Sequence, residues 1–180
     1  MISPVMRPCL GVALATVIWS LAASASSTYG ELRGYPTGVI ASAGALFAKG
    51  SQDELGVSVL YNRAHRGDAG RHDDESGEGF GIGFEGRRFY TDARLGWFYG
   101  LRAELFQLDL EWRDPGNRRG STDITVLQPT ARIGYRLPLA GSQTSVEIAG
   151  GLGAEINLKT KGEQVGEGAI GLIGLALRFD

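Results

Sequence analysis

From residue 54 to the end of the chain, apolar side chains recur at every second position. Between Val146 and Leu158, the residues Val146, Ile148, Leu152, Ile156 and Leu158 share one parity, while Glu147, Gly151, Gly153, Glu155 and Asn157 share the other. Residues two apart lie on one face of a strand, so this segment reads as a strand with an apolar face and a face of small and charged groups. Ala131–Leu139 repeats the pattern, setting Ile133, Tyr135 and Leu137 against Arg132, Gly134 and Arg136. Gly79–Tyr90 sets Phe80, Ile82 and Phe84 against Gly81, Gly83 and Glu85, and Ala169–Phe179 sets Leu175, Leu177 and Phe179 against Gly174, Ala176 and Arg178. Strands are predicted near 54–64, 78–90, 96–112, 123–138, 144–158 and 168–179, with weaker ones at 38–48 and 29–35. In 97–112 the apolar parity changes between Leu105 and Leu108, which predicts a β-bulge near Phe106-Gln107. Pro129 falls inside a predicted strand, where it removes a ladder donor.

Alternating strands also build soluble sandwiches and lipocalin-like cups, so the direction of the apolar face decides the class. Here the second face is mostly Gly, Ala and Ser with a few charges, a composition suited to a narrow interior and not to a solvated exterior. Connections alternate between tight ones (49–53, 91–95, 140–143) and longer polar ones (63–77, 114–122, 159–168), the loop asymmetry of bacterial outer-membrane barrels. Aromatic residues gather near strand ends. Phe47, Phe89, Tyr90, Trp97, Phe98, Tyr99, Tyr135 and Phe179 fall toward one end, and Tyr61, Phe80 and Trp112 toward the other, as two interfacial girdles would. The fold class expected is all-β: an antiparallel, eight-stranded, transmembrane up-and-down β-barrel. Eight strands leave an interior that side chains fill.

Composition narrows the rest. Glycine contributes 28 of 180 residues without a three-residue period, which excludes collagen, and the net charge of −2 argues against a nucleic-acid partner. Residues 1–25 read as a secretory signal peptide: Arg7, an apolar run from Leu10 to Ala23, then Ala23-Ser24-Ala25 as the small-x-small cleavage pattern. That leaves 26–180 as the barrel, with the lone Cys9 inside the leader. No disulfide, thiolate metal site or cofactor is expected.

With these strands in place, the chain resembles the small eight-stranded outer-membrane barrels of Gram-negative bacteria, the OmpA and OmpX type. The likeness covers the whole stretch after the leader. It departs from the family's aromatic C-terminus, because Asp180 follows the alternating Leu175-Ala-Leu-Arg-Phe179. The resemblance implies a cell outer-membrane location, a monomer, and contact with outer-membrane lipid, lipopolysaccharide and the barrel-assembly machinery. It implies a non-enzymatic role in envelope structure or surface contact and adhesion with an external protein ligand. The alternatives are a narrow or gated pore for small solutes and a lipid-modifying enzyme.

Nine charged residues fall on the inward parity: Glu85, Arg87, Arg102, Glu104, Arg132, Arg136, Glu147, Glu155 and Arg178. An unpaired buried charge is very costly, so a lumenal network of Arg–Glu pairs is expected. The register anticipated sets Arg102 and Glu104 against Arg132 and Arg136, and those against Glu147. The polar stretch after Arg63 holds both histidines, His65 and His72, with Asp68, Asp73, Asp74 and Glu75, but its spacing fits no EF-hand loop and no metal site is expected. Within it, Arg66-Gly67-Asp68 matches the short integrin-binding tripeptide and is a candidate loop contact. No histidine is placed to activate a strand serine, so catalytic residues are not expected.

Overall fold

The computed structural model describes residues 25–180, and the leader expected over 1–25 lies outside them except for Ala25. Eight antiparallel strands close into a barrel in sequence order: β1 (Ser27–Tyr35), β2 (Gly38–Lys49), β3 (Asp53–His65), β4 (Asp74–Phe89), β5 (Gly96–Arg113), β6 (Arg119–Pro138), β7 (Thr144–Lys161) and β8 (Gly168–Phe179). β1 pairs with β8, Thr28 opposite Phe179, so no edge is left open. Both strands that were weak in the sequence are complete. We call the end holding Ser27 and Phe179 the terminal end, and the opposite end the rim.

The greasy faces point outward. Leu152 is 75%, Ile133 53% and Leu177 45% exposed, and Leu101, Phe84, Ile148 and Ile173 join them in a continuous outer belt. On β5 the belt runs from Trp97 to Leu105, nine residues, the length a tilted strand needs to cross a bilayer, about 9–11 residues. Interior glycines give the lumen its room. A Cβ on Gly56 would lie 2.6 Å from Glu85 Cγ, and one on Gly174 would lie 2.7 Å from Arg33 Cγ.

Toward the rim the structure corrects the sequence reading. β5 pairs without interruption with β4 and β6 through Phe106 and Gln107, so there is no bulge there. Parity is kept and the chemistry of the two faces exchanges instead. Below this level the outer face is apolar and the inner face charged. Above it Gln107, Asp109, Glu111 and Arg113 face out, while Phe106, Leu108, Leu110 and Trp112 face in. The inward set joins Ile40, Leu60, Ile124, Val126, Val165, Ile170 and Leu172 in an apolar core. A strand surrounded by water puts its polar side out and its apolar side in, and this half of the barrel is built in that way.

The same principle corrects the connections. The polar stretches read as long loops are strand at their ends, at 63–65, 74–77, 119–122, 159–161 and 168. The rim connections shrink to 36–37, 66–73, 114–118 and 162–167, against 50–52, 90–95 and 139–143 at the terminal end. The barrel's one register shift among the described residues falls in β6–β7 at Thr125/Val126, leaving Leu158 as the extra residue. Pro129 is exposed on β6 where Gln128 and Pro129 lack ladder partners on β7, so its missing N–H interrupts little.

Three aromatics also change place. Phe89 and Phe98 are cross-strand partners buried in the lumen, 1% and 0% exposed, and Trp112 is buried in the rim core. The terminal girdle is carried by Tyr90, Trp97, Tyr99, Tyr135 and Phe179. Tyr61 and Phe80, with ring centroids 5.3 Å apart, mark the upper edge of the belt.

Candidate functional site

Seven glutamates and seven arginines are buried inside the barrel, an even balance in a chain of net charge −2. They form three tiers. Nearest the terminal end, Glu54 and Glu147 accept from Arg87, Arg136 and Arg178. Arg87 Nε donates to Glu54 at 2.8 Å and its Nη1 to Glu147 at 2.8 Å. Arg136 Nε donates to Glu147 at 2.6 Å and its Nη2 to Glu54 at 2.7 Å. Arg178 Nη1 reaches Glu147 at 3.1 Å, while its Nη2 donates to Ser27.

In the middle tier Arg102 donates to Glu31 at 2.7 Å and to Glu85 at 3.0 Å, and Arg132 donates to Glu85 at 2.8 Å and to Glu31 at 3.2 Å. Arg33 forms a two-bond fork with Glu104 at 2.8 and 2.6 Å, tying β1 to β5 across the lumen. Phe89 and Phe98 sit against both tiers: the Arg136 guanidinium lies 4.1 Å from the Phe89 centroid and that of Arg132 5.3 Å from the Phe98 centroid. The void among the middle-tier residues measures about 20 Å³, room for about one water.

Of the pairings expected from sequence, Arg136 with Glu147 forms between ladder partners. Glu104 does not reach Arg132 or Arg136, because Arg33 takes both its oxygens. Arg102 does not face Arg132 across a ladder; the two converge on the shared acceptors Glu31 and Glu85. Sequence reasoning missed Glu31, Arg33 and Glu54. The signal was present in Tyr29-Gly-Glu31-Leu32-Arg33-Gly-Tyr35, where both charges share the parity of the inward Tyr29 and Tyr35. It was also present in the surplus of five arginines over four glutamates.

The third tier caps the rim. Glu75 is fully buried and its carboxylate accepts from the backbone N–H groups of Arg71 (2.7 Å), His72 (3.1 Å) and Gly166 (3.1 Å) and from Arg66 Nη1 (3.1 Å). Burial opposes ionisation of Glu75, but the amides of Gly166 and Arg71 and the Arg66 guanidinium overcome it and hold its pKa below the ordinary value. Arg66 also donates to Glu155 at 3.1 Å, and Gln128 donates to Glu155 at 2.8 Å. Connections 66–73 and 162–167 are therefore fastened to one carboxylate.

Of the candidate contact Arg66-Gly67-Asp68, Arg66 is 5% exposed and committed to Glu75 and Glu155. Gly67 opens a one-turn 3₁₀ segment, and the contact expected of Asp68 lies outside the described side chains. His72 stacks on Trp112 with centroids 4.2 Å apart and meets Asp114 at 3.0 Å, which keeps the Asp114 carboxyl below its ordinary pKa. His65 is exposed, 3.9 Å from Asp74. Among the described residues no group of three or more His, Cys, Asp or Glu is arranged to hold a metal ion.

Glu75→Ala should loosen both connections. Trypsin added to the folded protein is expected to cut after Arg66 or Arg71 about tenfold faster or more, since losing these bonds lowers the local opening energy by more than ~1.4 kcal/mol. Mass-mapped cleavage rates check it.

No protein-family model matches this sequence, and no curated protein matches it. Among solved structures, the N-terminal β-barrel domain of Pseudomonas aeruginosa OprF aligns over 85% of this chain and 96% of its own, with TM-score 0.50 and 14% identity. Neisserial surface protein A (NspA) aligns over 85% of this chain and 92% of its own, with TM-score 0.46 and 15% identity. The OprF likeness is one of fold, an eight-stranded antiparallel barrel, the architecture that the sequence resemblance implied.

Proposed function

We propose that this chain is an integral outer-membrane barrel whose lumen is a permanent plug, and that it acts in envelope structure or surface contact through its projecting half. The observation that carries the reading is the pair of ion-pair tiers lying inside an apolar outer belt, with the third tier capping the rim above it. Lipid on the outside removes the hydrophobic drive for an apolar interior at belt level, so polar pairing fills the space. Above the belt the apolar core and the Glu75 cap close what remains. Surface contact then falls to the polar outer faces of β3–β7 beyond the belt, on a rim with little freedom to move.

A non-enzymatic role is supported by the chemistry of the candidates. Each lumenal carboxylate is held by guanidinium donors, and neither histidine hydrogen-bonds a serine among the described residues. Planar-bilayer recording tests the plug. Protein folded into the bilayer should give no stable single-channel steps, and reproducible steps would favour the pore reading.

A further inference from the structure

The register shift at Thr125/Val126 has a consequence for two lysines. Along β7, Ile156 and Leu158 face out on even positions, and an unbroken strand would turn Lys159 and Lys161 into the apolar rim core. The extra residue Leu158 resets the parity, placing Lys159 opposite Thr125 and Lys161 opposite Asp123, all on the outer face. These are two of only three lysines in the chain; the buried cations that pair in the lumen are all Arg.

The level of the two lysines is fixed by the ladders. Leu105, Leu127 and Ile156 form the last apolar row on β5–β7, and Gln107, Thr125 and Lys159 form the next polar one. One row is two residues, roughly 5–7 Å along a tilted strand, which sets the lysines at headgroup depth when the belt is in lipid. Together with Gln107, Thr125 and Asp123 they line a hollow of about 160 Å³. Thr125 Oγ1 donates to Gln107 Oε1 at 2.9 Å, which turns the Gln107 amide NH₂ to the other side as a donor. Neither lysine forms an ion pair within 4.0 Å among the described residues, although Asp123 is the ladder partner of Lys161.

We propose that this hollow binds the phosphate of a lipid headgroup in the external leaflet, with Lys159 and Lys161 as cations and Gln107 as a neutral donor. The proposal rests on the outer-membrane reading above. Ammonium groups suit it because they are compact point charges on flexible stems that follow a mobile headgroup, whereas the lumen uses the planar fork of Arg for fixed pairs. Asp123 opposes an anion on the Lys161 side and keeps the site selective for a strongly charged group.

The test uses the chain's own third lysine. Barrel folded into nanodiscs is labelled with an amine-reactive ester, and rates at Lys159, Lys161 and Lys49 are read by mass spectrometry. The nanodiscs contain phosphatidylcholine alone, the same lipid with a tenth of phosphorylated lipid A, or the first with inorganic phosphate added. Lipid A should slow labelling of Lys159 and Lys161 about fivefold, as expected for ~1 kcal/mol per cation, with Lys49 unchanged. Asp123→Asn should deepen that protection. Equal protection of Lys49 would reduce the effect to general surface attraction and overturn the site, as would no protection or protection by inorganic phosphate alone. Heat-modifiable gel mobility of each sample confirms insertion, so a barrel that never enters the nanodisc counts against the membrane reading, and folded, unprotected barrel counts against the site only.

Discussion

Glu54→Ala is expected to lower the stability of the folded barrel by about 3–5 kcal/mol, the cost of removing one partner from a buried charge cluster. Glu54 is 2% exposed and accepts from Arg87, Arg136 and Arg178 at 2.8, 2.7 and 3.3 Å. Without it, three guanidinium groups share Glu147, and none has another carboxylate in the tier except Asp180 at the mouth, 3.3 Å from Arg178. The measurement is the urea midpoint of refolded protein, followed by gel mobility. Asp53→Ala supplies the comparison. Asp53 is the neighbouring residue, paired with Arg88 in water, and its loss should leave the midpoint where it was. Glu54→Leu combined with Arg136→Met should recover part of the loss, because the remaining charges come closer to balance. If Glu54→Ala unfolds at the same urea concentration as Asp53→Ala, the lumenal tiers carry no energy and the plug reading falls.

How much of this was legible in the sequence depended on which solvent each stretch of chain meets. Within the apolar belt, one face is apolar and the other small or charged, so alternation placed β3 to β8 within a few residues at most of their belt-side ends. β2 was weak because Ala41, Ala43 and Ala45 alternate with Ser42 and Gly44, small residues on both faces that leave little contrast. Past the belt the rule inverts, and two errors followed. Polar outer residues such as Asp74, Ser121 and Lys159 looked like loop, although they are strand. The exchange of faces at Phe106 looked like a bulge, whereas the true bulge at Leu158 stood where the strand was thought to end. The cap at Glu75 was invisible for another reason. Its partners are backbone amides from residues 71, 72 and 166, and no side-chain pattern records them.

The inversion itself makes the sharpest test of the outer solvent. Leu101 is 70% exposed at mid-belt on β5, and Asp109 lies on the same face of the same strand, eight residues toward the rim. Leu101→Arg should cost about 2–4 kcal/mol when the barrel is folded in a bilayer, the penalty for a cation near the midplane of a lipid-facing strand. Asp109→Arg should cost close to nothing, since at that level the outer face meets water. Both changes alter only outward side chains, so neither disturbs the ion pairs within. Equilibrium unfolding from lipid vesicles reads the two variants directly, and repeating Leu101→Arg in short-chain detergent should shrink its penalty as the surrounding layer thins and rearranges. A barrel that tolerated the two substitutions equally in lipid would be one whose exposed leucines face some other partner, and the balanced charge in its lumen would then need a different cause.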